Sequence, residues 1–145
     1  MIVKGFDGKD YKWSAHRHKP RQDESRPRSK NHLRPRTVLR ELFPRDTILE
    51  EVPLPGSKTQ SRHSTLFADF YIPNRNLIVE VHGRQHYEHV PFYHKTKLDF
   101  YKAKARDRDK VDWCSINSIK IITLKHSDND DGWRRAILER LGEAK

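Results

Sequence analysis

The sequence predicts an α/β sandwich in which a mixed β-sheet is flanked by helices. Three observations carry that expectation. Two runs rich in β-formers, 65–72 and 77–82, are split by Pro73-Asn74-Arg75-Asn76, the pattern of a hairpin. A long helical segment follows, and then a third apolar run at Ile119–Leu124. The chain closes on a segment whose Trp133, Ile137, Leu138 and Leu141 recur at helical spacing. Helices and strands interspersed in this way pack as layers around one core.

Taken in order, residues 5–13 are aromatic and turn-like, suited to a small hairpin or a peptide docked on the domain. From Ser14 to Arg36 the chain is polar, basic and interrupted by Pro20, Pro27 and Pro35, so independent packing is not expected. A short helix is expected over about 36–43, with Val38, Leu39, Leu42 and Phe43 on one side and Pro44 ending it. A strand over 48–54 closes on the turn Pro55-Gly56, and the two hairpin strands follow. The remaining elements are a helix over about 95–115, the strand 119–124 and a helix over about 131–141, capped by Asp130 or Asp131.

A chain of 145 residues suits one compact domain. Only 34% of residues are hydrophobic, but three Trp and six Phe supply bulky core material. The formal net charge of +10 is unevenly placed: residues 1–36 carry 11 basic and 4 acidic side chains, a balance of +7, and the remainder only +3. The expected division is a basic arm, 1–36, ahead of a domain, 37–145. Such an arm suits a polyanionic partner, because Lys and Arg that neutralise phosphates release counterions. Nucleic acid is favoured over a merely solubilising tail, with Arg17, Lys19, Arg21, Arg26, Arg28, Lys30, Arg34 and Arg36 as the candidate contacts. Cys114 is the single cysteine, which excludes an internal disulfide and a cysteine-built zinc cage. No run approaches the roughly 20 apolar residues of a membrane span, and no secretory leader is read at the N-terminus. A soluble protein of a reducing, cytoplasmic compartment is expected.

The hairpin carries the chemistry. Side chains alternate along a strand, so Ile78, Glu80 and His82 share one face while Leu77, Val79 and Val81 share the other. A turn centred between Asn74 and Arg75 pairs residues whose numbers sum to 149, which sets Asp69 directly across from Glu80. Opposed Cβ atoms in an antiparallel pair lie about 4.5–5.5 Å apart, and like charges so placed repel. Two such carboxylates call for a bound cation, a shared proton or a neighbouring base. A hard divalent ion suits oxygen donors of this kind, Mg²⁺ in particular. His82 shares the face with Glu80 and has the range of a general acid or base. Gly83 lets the chain turn, and Arg84, Gln85 and His86 follow as further donors.

The run Ala68-Asp69-Phe70-Tyr71-Ile72-Pro73, then Leu77-Ile78-Val79-Glu80-Val81-His82-Gly83-Arg84-Gln85-His86-Tyr87, resembles the core of the PD-(D/E)XK nuclease superfamily. The nearer resemblance is to the branch of very-short-patch-repair endonucleases and related phage- or intron-encoded homing endonucleases. It continues through 107–114 and 119–124 and covers about residues 37–141. What it implies is a restriction-endonuclease-like αβ sandwich and Mg²⁺-dependent cleavage of DNA, with Mn²⁺ able to substitute. The host would be a bacterium or a phage-infected cell. Asp69 and Glu80 would bind the metal, with the Val81 backbone carbonyl as a further ligand. His82, Gln85 and His86 would serve the attacking water, and Glu41 would be a supporting helical acid. The superfamily's usual lysine is replaced by His82, which leaves the base open; Lys110 or Arg84 would supply the missing positive charge.

Two other readings compete. The clustered His82, His86, His89 and His94 invite a His-Asn-His nuclease, but no cysteine pairs or compact ββα arrangement support one. The second is a non-catalytic, basic DNA-binding accessory protein on a nuclease fold. Nicking and double-strand cleavage, and a monomer and a homodimer, are all compatible with the sequence.

Overall fold

The computed structural model describes residues 1–13, 30–83 and 96–142. Strands β1 (Ile2–Lys4) and β2 (Asp10–Lys12) form a small antiparallel hairpin. Helix α1 spans Lys30–Leu42, and β3 (Leu49–Pro53), β4 (Phe67–Ile72) and β5 (Leu77–His82) follow it. Helix α2 (Lys97–Ile116), β6 (Lys120–Lys125) and α3 (Asp130–Arg140) complete the chain. The main sheet has the order β3-β4-β5-β6 and is mixed: β5 and β6 are parallel, the other pairs antiparallel. The expected α/β class, a mixed sheet flanked by helices, is what the chain adopts.

Sheet alternation sorts the core into two layers. Val38 and Leu39 of α1 and Trp133 and Ile137 of α3 pack with Phe70, Ile72, Val79 and Val81. On the other side Trp113 and Cys114 of α2 pack with Tyr71 and Ile78, joined by Val3 and Trp13 from the N-terminal hairpin. Trp13 stacks on Tyr71 at 4.5 Å between ring centroids and meets Trp113 edge-on at 5.3 Å. Its indole N–H donates to the Pro53 carbonyl, 3.1 Å away. The hairpin is seated by a close backbone approach, with the Phe6 N–H donating to the Gly56 carbonyl at 2.9 Å. Gly56 has φ +71°, and a Cβ there would stand 2.5 Å from the Gly5 Cα. Residues 1–13 therefore dock on the domain, with Val3 and Trp13 in its core. Tyr11 and Trp13 are committed to that docking; the Tyr11 hydroxyl bonds the Asp7 carboxylate.

Helix α1 begins earlier than the expected residue 36 and runs through Pro35. A proline inside a helix forfeits a backbone bond at a cost of about 3 kcal/mol. The flanking arginines offset this through tertiary contacts. Arg34 bonds Asp130 at 2.6 Å and lies 3.6 Å over the Trp133 ring, and Arg36 forms a buried, two-pronged bond with Glu50 at 2.8 and 2.9 Å. These two residues are thus helix residues bonded to the domain. At the other end of the chain the cap of α3 is Asn129, one residue before the expected acids, its side chain accepting from the Gly132 N–H.

Candidate active site on the central hairpin

Strands β4 and β5 pair Phe70 with Val79, Tyr71 with Ile78 and Ile72 with Leu77, so every pair sums to 149 as the turn predicted. Pro73–Arg75 form a single 3-10 turn that Asn76 closes in the left-handed region, φ 51°. Beyond Phe70 and Val79 the strands hold together differently. The Asp69 N–H donates to Glu80 Oε2 at 2.7 Å, and the Val81 N–H donates to Asp69 Oδ2 at 2.9 Å. Each carboxylate therefore accepts a backbone donor of the opposite strand, which fixes both acids in place beside each other.

Glu80 is 2% exposed and Asp69 half-buried. Lys110 of α2 reaches into this pair and donates from Nζ to Glu80 Oε1 at 2.5 Å. Burial, followed by the negative charge of Asp69, pushes the Glu80 carboxyl up to about 7, against the opposing pull of Lys110. Burial pulls the Lys110 ammonium down, but Glu80, Asp69 and Asp107 together push it up by more, so it stays charged. His82 ends β5 with its Nε2 3.7 Å from Asp107 Oδ1 of α2. The site thus has two acids and a lysine at its centre, and a histidine and a further acid at its rim.

No group of three or more His, Cys, Asp or Glu side chains arranged to hold a metal occurs among the described residues. The donor set is nevertheless of the right chemistry for a hard divalent ion that keeps most of its waters. Two adjacent carboxylates, one of them buried and unfavourable as an anion, fit Mg²⁺ held by one or two acids.

No family model matches the chain, and no solved structure does. Two viral proteins are similar over part of it. Uncharacterized protein 307L of Invertebrate iridescent virus 6 is 32% identical over 76 residues, 52% of this chain and 39% of that protein. Uncharacterized protein 094L of Frog virus 3 (isolate Goorha) is 35% identical over 72 residues, 48% of this chain and 46% of that protein. The chain spans less than half the length of these curated relatives.

The structure gathers Asp69, Glu80, Val81, His82 and Lys110 at one place and leaves Glu41 out of the bonds that define it. The Glu41 carboxylate is half exposed on α1 and bonds Arg134 of α3 at 2.6 Å. Arg36, expected to contact DNA, is buried against Glu50, and Arg34 is bonded to Asp130 and to the Asp128 carbonyl. Arg17, Lys19, Arg21, Arg26, Arg28, Arg84, Gln85 and His86 lie outside the described residues, as does the side chain of Lys30. Asp107 was missed from sequence. Asp107, Lys110 and Cys114 recur at i, i+3 and i+7, a polar stripe on one face of α2, and that spacing is the signal that would have found it. Cys114 is no nucleophile: burial and the charge of Glu80 push its thiol up to about 12. No described helix is long and apolar enough to cross a membrane.

Proposed function

We propose that this chain is a Mg²⁺-dependent DNA endonuclease of the PD-(D/E)XK type. The observation that carries the reading is the convergence of Lys110 on the cross-strand pair Asp69–Glu80. The residue pattern resembles that superfamily but has His82 where its lysine is usual. A lysine delivered from α2, with Nζ 2.5 Å from Glu80, supplies the cation from another element. An antiparallel hairpin followed by a helix and a parallel strand supports a restriction-endonuclease-like sandwich.

In this reading Asp69 and Glu80 would hold the metal, with the Val81 carbonyl as a further oxygen, and when bound it would supply Lewis-acid charge to the scissile phosphate and the attacking water. Lys110, held charged by the acids around it, offsets negative charge developing on the phosphate. His82 would accept the proton of the attacking water, and Asp107, 3.7 Å from its Nε2, would steady the resulting imidazolium. The polar run 14–29 would hold flanking DNA backbone through its basic side chains, without reading bases.

The deciding experiment incubates supercoiled plasmid, mismatched duplex and four-way junction with Mg²⁺, Mn²⁺ or EDTA, wild type beside Glu80→Gln. Cleavage is expected with either metal, none in EDTA, and a loss of more than about 10²-fold in the variant. Equal cleavage by both proteins sinks the mechanism. Metal-independent DNA binding without cleavage on any substrate would favour the accessory reading instead.

A further inference from the structure

Helix α2 does two things with one surface. Lys110 touches Glu80, and one turn earlier Asp107 approaches His82, the last residue of β5. The helix therefore descends along β5 from the strand's far end, and its first turns extend past the sheet. None of residues 97–106 is buried, whereas Trp113 and Cys114 near the other end are. This half of the helix, none of whose residues is buried, carries an ordered set of charges. Lys102, Arg106 and Lys110 stand at i, i+4 and i+8, one continuous ridge of an α-helix. Lys102 and Arg106 are both exposed.

Two of the acids of α2 are directed elsewhere: Asp107 faces His82, and Asp109 bonds Arg62 at 2.9 Å. Among the described residues Lys102 and Arg106 have no acidic partner in an ion pair. The ridge thus has two cations without an acidic partner among the described residues, Lys102 and Arg106, and its inner end is Lys110, already bonded to Glu80. Its length from Lys110 to Lys102 is about 12 Å at 1.5 Å per residue. That spans three to four nucleotides of one strand at about 3.4 Å of rise each.

We propose that the Lys102–Arg106–Lys110 ridge is a phosphate track, along which the DNA strand runs as it enters the Asp69–Glu80 site. The inference rests on the nuclease reading and deepens it: it names the surface that carries the substrate strand and the direction from which that strand arrives. The contacts are to backbone phosphates, so they set register and affinity, not base preference.

The test is a salt titration of duplex binding, read by fluorescence anisotropy in EDTA, for wild type, Lys102→Ala/Arg106→Ala and Lys104→Ala/Arg108→Ala. The last pair removes the same charge from positions roughly 120° and 160° around the helix from Lys110. All four residues are exposed, so neither pair disturbs the core. The ridge variant is expected to lower the slope of log K against log salt by about two, close to one per lost phosphate contact. The other pair should leave the slope near wild type. An unchanged slope in the ridge variant, or an equal fall in both variants, overturns the track while the nuclease reading stands. Wild-type protein that fails to bind the duplex at all overturns both.

Discussion

Among the described residues two glutamates are buried in the sheet, and they are held in different ways. Glu50 of β3 meets Arg36 of α1 through both carboxylate oxygens, at 2.8 and 2.9 Å, on the side of the sheet covered by α1 and α3. Glu80 of β5 meets Lys110 through one oxygen and the Asp69 N–H through the other, on the α2 side, with the Asp69 carboxylate beside it. The first arrangement matches one acid to one guanidinium fork, the geometry in which a planar cation is most fully used. The second crowds two acids around one ammonium, with the buried carboxylate pushed toward neutrality by burial and by the acid beside it. In the proposed reading this crowding, more than the burial of any one acid, distinguishes the α2 side.

The largest way to break the comparison is Arg36→Met. Removing one partner of a buried pair leaves an uncompensated charge and costs about 3–5 kcal/mol. Urea unfolding should show that loss, and Mg²⁺ should not restore it, because no metal role attaches to Glu50. Recovery by Mg²⁺ would place a cation on both sides of the sheet and erase the distinction. Lys110→Met should destabilise less, because Glu80 has an alternative that is already close: it takes up a proton near pH 7. Mg²⁺ should then stabilise the variant by binding the folded state, while cleavage falls by about 10²-fold or more through loss of positive charge at the phosphate. A Lys110→Met protein that cleaves at the wild-type rate would assign Lys110 to architecture.

A pH titration sharpens the same contrast. Glu80 rises from an ordinary 4.5 to about 7 on folding, so between those values the folded chain binds more protons than the unfolded one. The sign follows: the contribution is fully present below about pH 4.5 and is lost as pH rises through about 7. The metal-free protein should therefore lose stability across that window, and Glu80→Gln should lose the slope. Mg²⁺ competes with the proton for the same oxygens, so its stabilisation should be greater at pH 8 than at pH 6. A Mg²⁺ effect independent of pH would separate the ion from Glu80.

The parts of the site that depend on strand register were legible in the sequence. Alternation and a four-residue turn were enough to place Asp69 against Glu80, because pairing across a tight hairpin is fixed by the turn. The α2 contribution was legible only in part. Lys110 was a candidate for the missing charge, but its partner depended on how a helix without a strong apolar stripe would roll on the sheet. Trp113 and Cys114 decide that roll, and their burial is what turns Lys110 and Asp107 inward. The start of α1 was illegible for a different reason. Pro35 reads locally as a breaker, and only the tertiary bonds of Arg34 and Arg36 override it. Those same bonds tie two of the expected DNA-contacting arginines to acids of the fold, and charge composition does not say which cations are so paired.

The smallest expected effect concerns Glu41, the acid that the family resemblance placed in the site. Its carboxylate is tied to Arg134, which also bonds Asp131, and the three groups form a cluster between α1 and α3 that is open to water. Ion pairs of this kind contribute little, because solvent screens them and two long side chains must be ordered to make them. Arg134 itself is pushed up chiefly by its hydrogen bond to Glu41. Glu41→Gln should therefore leave the thermal midpoint and the Mg²⁺-dependent cleavage rate close to wild type, with kcat and KM both unmoved. A fall in kcat at unchanged stability would return Glu41 to the site and require α1 to move toward the hairpin on binding DNA. That outcome would also weaken the contrast between the two faces, since the side now read as architecture would then supply a residue to the chemistry.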